Sequence, residues 1–260
     1  MIEVSVEILS ILFLTAVIAG WVDAIAGGGG LITIPALLLT GIPPAAAIAT
    51  NKLPGCFGTM TAAIYFIKQQ AVSWRGNILP ICTVCIGSII GGFVLTQIEA
   101  AYLNYLVPVL LILIAIYFIF FAKNLDERKK PRVSHLQFST AIAPALGFYD
   151  GFFGPGAGSV MTTSLITMRG FPIRNATAHA RFFNFISNIS ALIYFVFFGQ
   201  IFWLIGAIMI MGQVLGSYLG ARVALKAGAK LIRPMIIIVC LVMSTRILWT
   251  LVGSAGGNAL

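Results

Sequence analysis

The chain reads as an all-α polytopic membrane protein built from two tandem repeats, each with four long transmembrane helices and a short helix after a glycine-rich break. Three observations carry that reading. Of 260 residues, 60% are hydrophobic and only 9% charged, a balance that no water-soluble fold of this length keeps in solution. Apolar runs of spanning length recur from one end to the other. One half of the sequence also matches the other, residue type for residue type.

The long runs cover residues 6–26, 44–67, 77–97, 102–122, 136–153, 177–199, 201–224 and 234–252. Each approaches the ~20 residues a helix needs to cross hydrocarbon. Two shorter runs, 30–40 and 157–168, follow the glycine-rich stretches and reach only ~15–18 Å as helices; they are half-spans or steeply packed short helices. Ala24-Ile25-Ala26 resembles a signal-peptide cleavage site, but the first residues, up to the start of the apolar run, carry Glu3 and Glu7 and no Lys or Arg. The first run is therefore expected to stay in place.

The repeat is seen most clearly at its rare residues. Gly20-Trp21-Val22-Asp23 matches Gly147-Phe148-Tyr149-Asp150 at an offset of 127. After a two-residue insertion the offset becomes 129, pairing Gly41-Ile42-Pro43 with Gly170-Phe171-Pro172, Lys52 with Arg181, Tyr65 with Tyr194 and Trp74 with Trp203. One transporter domain follows, with repeat 1 at residues 1–122, a cytoplasmic connector at 123–134 and repeat 2 at 135–260. Duplicated halves whose broken helices meet at mid-membrane are a common way of building secondary transporters.

The net charge of +9 points to topology and not to nucleic acid, because the Lys and Arg lie mostly in short connectors. Lys52, Arg181, Arg222 and Arg246 lie in helices or at their ends, leaving twelve of the sixteen basic residues for loops. With five crossings per half and an external amino terminus, all twelve are cytoplasmic; with four crossings and re-entrant short segments they divide seven to five. The positive-inside rule favours five, and hence inverted halves. Four crossings per half remains the plainer hydropathy count. Cys56, Cys82, Cys85 and Cys240 all fall in expected spans and give no disulfide framework.

Candidate site residues cluster at the two breaks. Gly27, Gly28, Gly29 and Gly30 interrupt one apolar pattern, and Gly154, Pro155, Gly156 and Gly158 interrupt its counterpart. Such backbone does not stay helical cheaply, and at membrane depth it persists only where protein or a wet cavity surrounds it. A short helix beginning there aims unpaired N–H groups into that space, an anion seat; packing alone is the rival account of the glycines. The Gly87, Gly91, Gly92 and Gly212, Gly216, Gly220 series follows small-xxx-small spacing and is assigned to packing.

Asp23 and Asp150 are the only acidic residues inside apolar segments, and each costs ~2.5–3.5 kcal/mol on an insertion scale at the bilayer centre. They carry protons in a transport cycle, or they cap the short helices; the two roles are compatible. Lys52 and Arg181 suit an anion path or act as counter-ions to the two aspartates. Asn51, His179, Asn184, Thr50 and Asn188 add hydrogen-bonding groups for an oxyanion on the same stretches, with Asn184 three residues past Arg181 on its helical face. His135 is expected at the interface, and Tyr65, Tyr194, Trp74 and Trp203 in an aromatic belt.

These residues, above all the stretch 20–30 with Thr50-Asn51-Lys52 and the stretch 150–158, resemble the TauE/SafE sulfite exporter family, over essentially the whole chain. The resemblance implies a multi-pass plasma (inner) membrane permease for small sulfur-containing anions such as sulfite or sulfonates. It marks Asp23, the glycines 27–30, Asn51 and Lys52, with Asp150, Gly154, Gly156 and Arg181 as second-half counterparts. Pro155, Ala157 and Ala180 depart from the first copy, so the halves are expected to do unequal jobs. The expected partners are an anionic substrate, the lipid bilayer and, as a candidate, protons, with a homo-oligomer left open and no cofactor or metal. An anion channel or a non-transporting assembly subunit is the alternative. An enzyme is the least favoured class, since HExxH and GxSxG with a matching His are absent.

Overall fold

The computed structural model describes residues 5–69, 72, 75–121 and 130–227. The span expected at 234–252, with Cys240 and Arg246, and also Trp74 and most of the connector, lie outside the described residues. Helices account for the regular structure in order: α1 Val6–Ala26, α2 Gly29–Leu39, α3 Pro44–Lys68, α4 Ile78–Gln97, α5 Ala100–Phe121, α6 His135–Gln137, α7 Ala143–Phe152, α8 Ala157–Arg169, α9 Ile173–Phe198 and α10 Trp203–Ala227. No strand occurs among the described residues. Four of them, α1, α4, α9 and Trp203–Ala224 of α10, are long and apolar enough to cross a membrane.

Local chemistry sets the boundaries. Ser5 begins α1, its hydroxyl accepting the Ile8 N–H at 3.3 Å, and Gly27 ends it in the left-handed region with φ 84°, which costs glycine little. Pro43 and Pro172 enter α3 and α9 with nearly the same extended backbone, φ −56° and ψ 148° against φ −57° and ψ 145°. The expected run at 177–199 therefore starts four residues early, at Ile173, because the proline supplies the helix start. The run at 136–153 is not one regular helix. Between α6 and α7 lies a π-helical turn, Phe138–Ile142; Pro144 has no N–H to give the carbonyl four residues back, and the helix widens there.

Two helix pairs form hairpins around the glycine-rich breaks. Arg132 and Val133 both donate backbone N–H groups to the Met168 carbonyl, at 2.9 and 3.2 Å, and Arg169 Nη1 donates to the Val133 carbonyl at 3.1 Å. The entrance to α6–α7 and the exit of α8 thus lie at one end of the molecule. In the first half Ile8 and Ile11 of α1 line one groove with Leu39 and Thr40, and Leu12, Leu37 and Ile42 share a core cluster. That hairpin, too, returns to its starting level.

The long contacts exchange partners between halves. α1 packs along α10, and α4 along α7, while α3 and α9 touch each other at the centre. Glycines set the spacing. A Cβ on Gly212, Gly216 or Gly220 would come within 3.0 Å of the Phe13, Val17 or Trp21 carbonyl, and one on Gly87 or Gly91 equally close to Pro144 or Phe148. Gly147 and Gly151 meet the Val84 and Ser88 carbonyls in return. Backbone approach of this kind lets dispersion act over a long seam where no hydrophobic effect drives helices together. The outer faces carry large apolar side chains, among them Ile11, Leu14, Ile18, Ile86, Phe93, Phe197 and Leu219, as a lipid-facing surface requires.

Of the aromatic residues expected at the interface, Trp203 is exposed, whereas the Tyr194 hydroxyl lies 2.8 Å from Thr96 Oγ1 across the α4–α9 contact. Cys82 and Cys85 are free thiols.

Gly151→Ala or Gly216→Ala is expected to lower stability by about 1–3 kcal/mol through overpacking, read as a fall in detergent unfolding temperature. Gly76→Ala, where a Cβ meets nothing within 4 Å, should stay within about 0.5 kcal/mol of the parent.

Candidate functional site

The two breaks touch. Ser159 donates its hydroxyl to the Ala26 carbonyl, Gly30 lies against Pro155, and a Cβ on Gly27 or Gly158 would strike the opposing backbone. Absence of side chains at these glycines is what allows the two hairpin tips to meet. Tyr149 holds the second tip by donating to the Pro155 carbonyl. No equivalent clasp exists in the first half, where Val22 occupies the matching position.

Four formal charges surround this contact, and they pair across the halves. Lys52, from the middle of α3, donates through Nζ to Asp150 Oδ1 of α7 at 2.8 Å and also to the Asp150 backbone carbonyl. Both side chains are buried, at 1% and 2% exposure. Arg181 of α9 is fully buried and lies within electrostatic reach of Asp23 in α1, yet the two come no closer than 4.0 Å. Asp23 Oδ1 instead accepts the Gly29 N–H at 3.1 Å, capping the start of α2. All three guanidinium nitrogens of Arg181 lack a hydrogen-bond partner among the described residues, as does Asp150 Oδ2.

The guanidinium points at the tip contact, since Nη1 is the first atom that a Cβ on Gly158 would meet and is among the three nearest to one on Gly27. Burying an arginine without acceptors is costly in a medium of low dielectric constant. A buried donor set of this kind calls for a specific explanation, such as strain, a functional role, or a water or ion that accepts from it.

Beside the quartet lies a small polar cavity lined by Asp23, Gly27, Gly30, Asn51, Gly55, Thr59, Asp150, Gly154, Asn184, Asn188 and Gln213. Room for the centre of a water-sized sphere amounts to about 20 Å³, space for roughly one water position. Lys52 and Arg181 stand one layer behind its walls. Asn51 Oδ1 accepts from Thr33 at 2.5 Å, and Asn188 Nδ2 donates to Asn184 Oδ1 at 2.9 Å. Asn51 is thereby fixed to Thr33, and Asn188 to Asn184, inside the protein.

Of the residues singled out in the sequence, Asp23, Gly27, Gly30, Asn51, Asp150, Gly154, Asn184 and Asn188 meet at this cavity, with Lys52 and Arg181 adjoining. Gly28 is the N-cap of α2 and Gly156 that of α8, the latter at φ 73°; Gly29 supplies the amide for Asp23. His179 is not gathered in. Its Nδ1 lies 2.8 Å from the Asn175 carbonyl, and its ring packs edge-on to Phe171, a satisfied interior position. Sequence reasoning missed Gln213, Thr33 and Thr59. Gln213 is 3% exposed with Oε1 unpartnered, and its stem covers Gly58. The available signal was an amide in the middle of an apolar run, opposite the valine of the first copy, Val84.

The family model for the sulfite exporter TauE/SafE matches residues 12–247. A "Probable membrane transporter protein" of Haemophilus influenzae is 42% identical over 247 residues, covering 95% of this chain and 97% of that protein. "Probable membrane transporter protein YfcA" of Escherichia coli is 44% identical over 246 residues, at 95% and 91%. A more distant similarity, 26% identity, is to "Probable membrane transporter protein YunE" of Bacillus subtilis, covering 92% and 97%. No solved structure matches. The chain belongs to the TauE/SafE family.

Removing one partner of the buried Lys52–Asp150 pair leaves an uncompensated charge, so Lys52→Met or Asp150→Leu alone is expected to cost about 3–5 kcal/mol. The double variant should recover most of that loss. Thermal unfolding of the three purified proteins in one detergent checks the cycle.

Proposed function

We propose that the protein is a multi-pass permease of the plasma membrane that moves a small anion, with sulfite, a sulfonate or a related sulfur oxyanion as its substrate class. Its binding site lies where two inverted repeats meet. The observation that carries this reading is Arg181, fully buried, rich in donors and without an acceptor, aimed at the contact between two broken helices. Planar guanidinium donors match an oxyanion's oxygens two at a time. The names of the relatives agree with a transport role.

Inversion of the halves draws support from the hairpins. A helix pair that returns to its starting level adds an even number of crossings, whether or not its members traverse the bilayer. The three remaining helices of the half, α3, α4 and α5, then leave the second half starting from the opposite side. Exchange of equivalent contacts, α1 with α10 and α7 with α4, fits a pseudo-two-fold axis in the membrane plane. The small volume of the cavity favours a carrier over an open anion channel.

Proteoliposomes holding the purified protein are expected to take up labelled sulfite or methanesulfonate above empty vesicles, and Arg181→Gln to lower uptake roughly ten- to a hundredfold, the worth of hydrogen bonds to a charged group. Absence of uptake for both anions under every imposed gradient would end the proposal. For topology, single cysteines placed at Pro43 and Pro172, with the four native cysteines replaced, should label from opposite sides of the membrane. Labelling from one side refutes inversion.

A further inference from the structure

The two crossed pairs each set one carboxylate against one cation at matching sequence positions, lysine in one and arginine in the other, but differ in geometry. Lys52–Asp150 is closed: Nζ donates to both a carboxylate oxygen and the backbone carbonyl of Asp150. Asp23–Arg181 is open, with more than 4.0 Å between the groups and no acceptor on the guanidinium. Asp23 also lines the cavity; its Oδ1 is engaged by Gly29, which leaves Oδ2 to face that space. From α9 Asp23 is opposed by Arg181, from α7 by Asp150 and from α3 by Lys52. α2 presents the Gly29 amide, α10 the neutral Gln213, and α8 has no ionisable side chain before Arg169. Tyr218 and Arg222 of α10 bond to each other on its exposed side.

Counted together, the quartet is neutral, with two cations against two carboxylates, all buried. A monoanion arriving at Arg181 upsets that balance by one charge in a medium of low dielectric constant, and it takes away the one cation among the described residues that faces Asp23 without being already engaged. Restoring neutrality needs one proton. We propose that the open Asp23–Arg181 couple is the working half of the quartet: Arg181 takes the oxyanion, Asp23 takes one proton at Oδ2, and the two cross together with no net charge. The closed Lys52–Asp150 pair is the structural clasp that holds α3 to α7.

The proton comes from water on the loading side and returns to water on the other; no bond of the anion is made or broken. Arg181 lies behind the contact of Gly27 with Gly158, so loading requires the hairpin tips to part. The inference rests on the anion-permease reading above and adds its coupling, stoichiometry and proton acceptor.

The test uses the full chain in proteoliposomes with methanesulfonate, which stays a monoanion across the working pH range. One-to-one electroneutral coupling accumulates it about tenfold for each pH unit imposed, the change in proton activity itself, whereas a potassium diffusion potential set with valinomycin leaves accumulation unchanged. With Asp23→Asn the pH gradient should drive no accumulation, counterflow exchange should persist, and uptake should follow the membrane potential. Accumulation by wild-type protein that follows the potential, or pH-driven accumulation surviving in Asp23→Asn, overturns the inference and leaves the permease reading intact. No methanesulfonate or sulfite uptake by wild-type protein removes both. Should Asp23→Asn fail to fold, a pH-indicator titration of wild-type protein in weakly buffered detergent decides: about one proton taken up per bound methanesulfonate is expected, and none overturns the coupling.

Discussion

Charge neutrality inside hydrocarbon is the constraint on which this structure depends. Two cations and two carboxylates at the centre of a chain that is only 9% charged are tolerable because each half supplies one of each sign and lends it to the other. The Lys52–Asp150 contact joins α3 of the first half to α7 of the second, and Arg181 of the second half faces Asp23 of the first. A half taken alone would hold its acid and its base without these partners. Helix breaks, glycine seams and buried amides can all be understood as the scaffold that brings four such groups to one place and keeps lipid away from them.

The asymmetry laid over this plan is instructive. Asn184, Asn188 and Gln213 line the cavity from the second half, and their first-half equivalents are Gly55, Thr59 and Val84. Asn51 is matched by Ala180, and Tyr149, which ties down the second tip, by Val22. Residues that carry charge have kept their symmetry, while those that offer neutral hydrogen bonds have lost it. Charge balance acts on both halves equally, whereas the neutral hydrogen-bonding groups at the cavity differ between them, Asn51 and Thr59 on one side and Asn184, Asn188 and Gln213 on the other.

Much of this was legible in the sequence. Composition and run lengths gave helices close to those observed, and Pro43 and Pro172 both stand at helix starts while Lys52 and Arg181 are both buried, because proline and buried cations have few other uses in an apolar chain. The start of α9 behind Pro172 was placed four residues late and the widened turn before Pro144 was missed, since hydropathy averages over the residues that decide a boundary. Which acid meets which base was not legible. Sequence spacing suggested pairs but carried no information on partner exchange between halves, and it favoured His179, whose ring is satisfied within α9. Gln213 escaped notice because a single amide hardly alters the hydropathy of its helix, although the cavity wall depends on it.

The glycine seams bear on how such a molecule can move. α1 is held backbone to backbone against α10, and α7 against α4, so a helix from each half of the sequence is mechanically a member of the other half. The halves are interlaced like clasped hands and cannot swing apart as two shells. Any rearrangement that exposes the centre to one side must therefore slide or tilt the hairpins within their grooves, with the seams acting as rails.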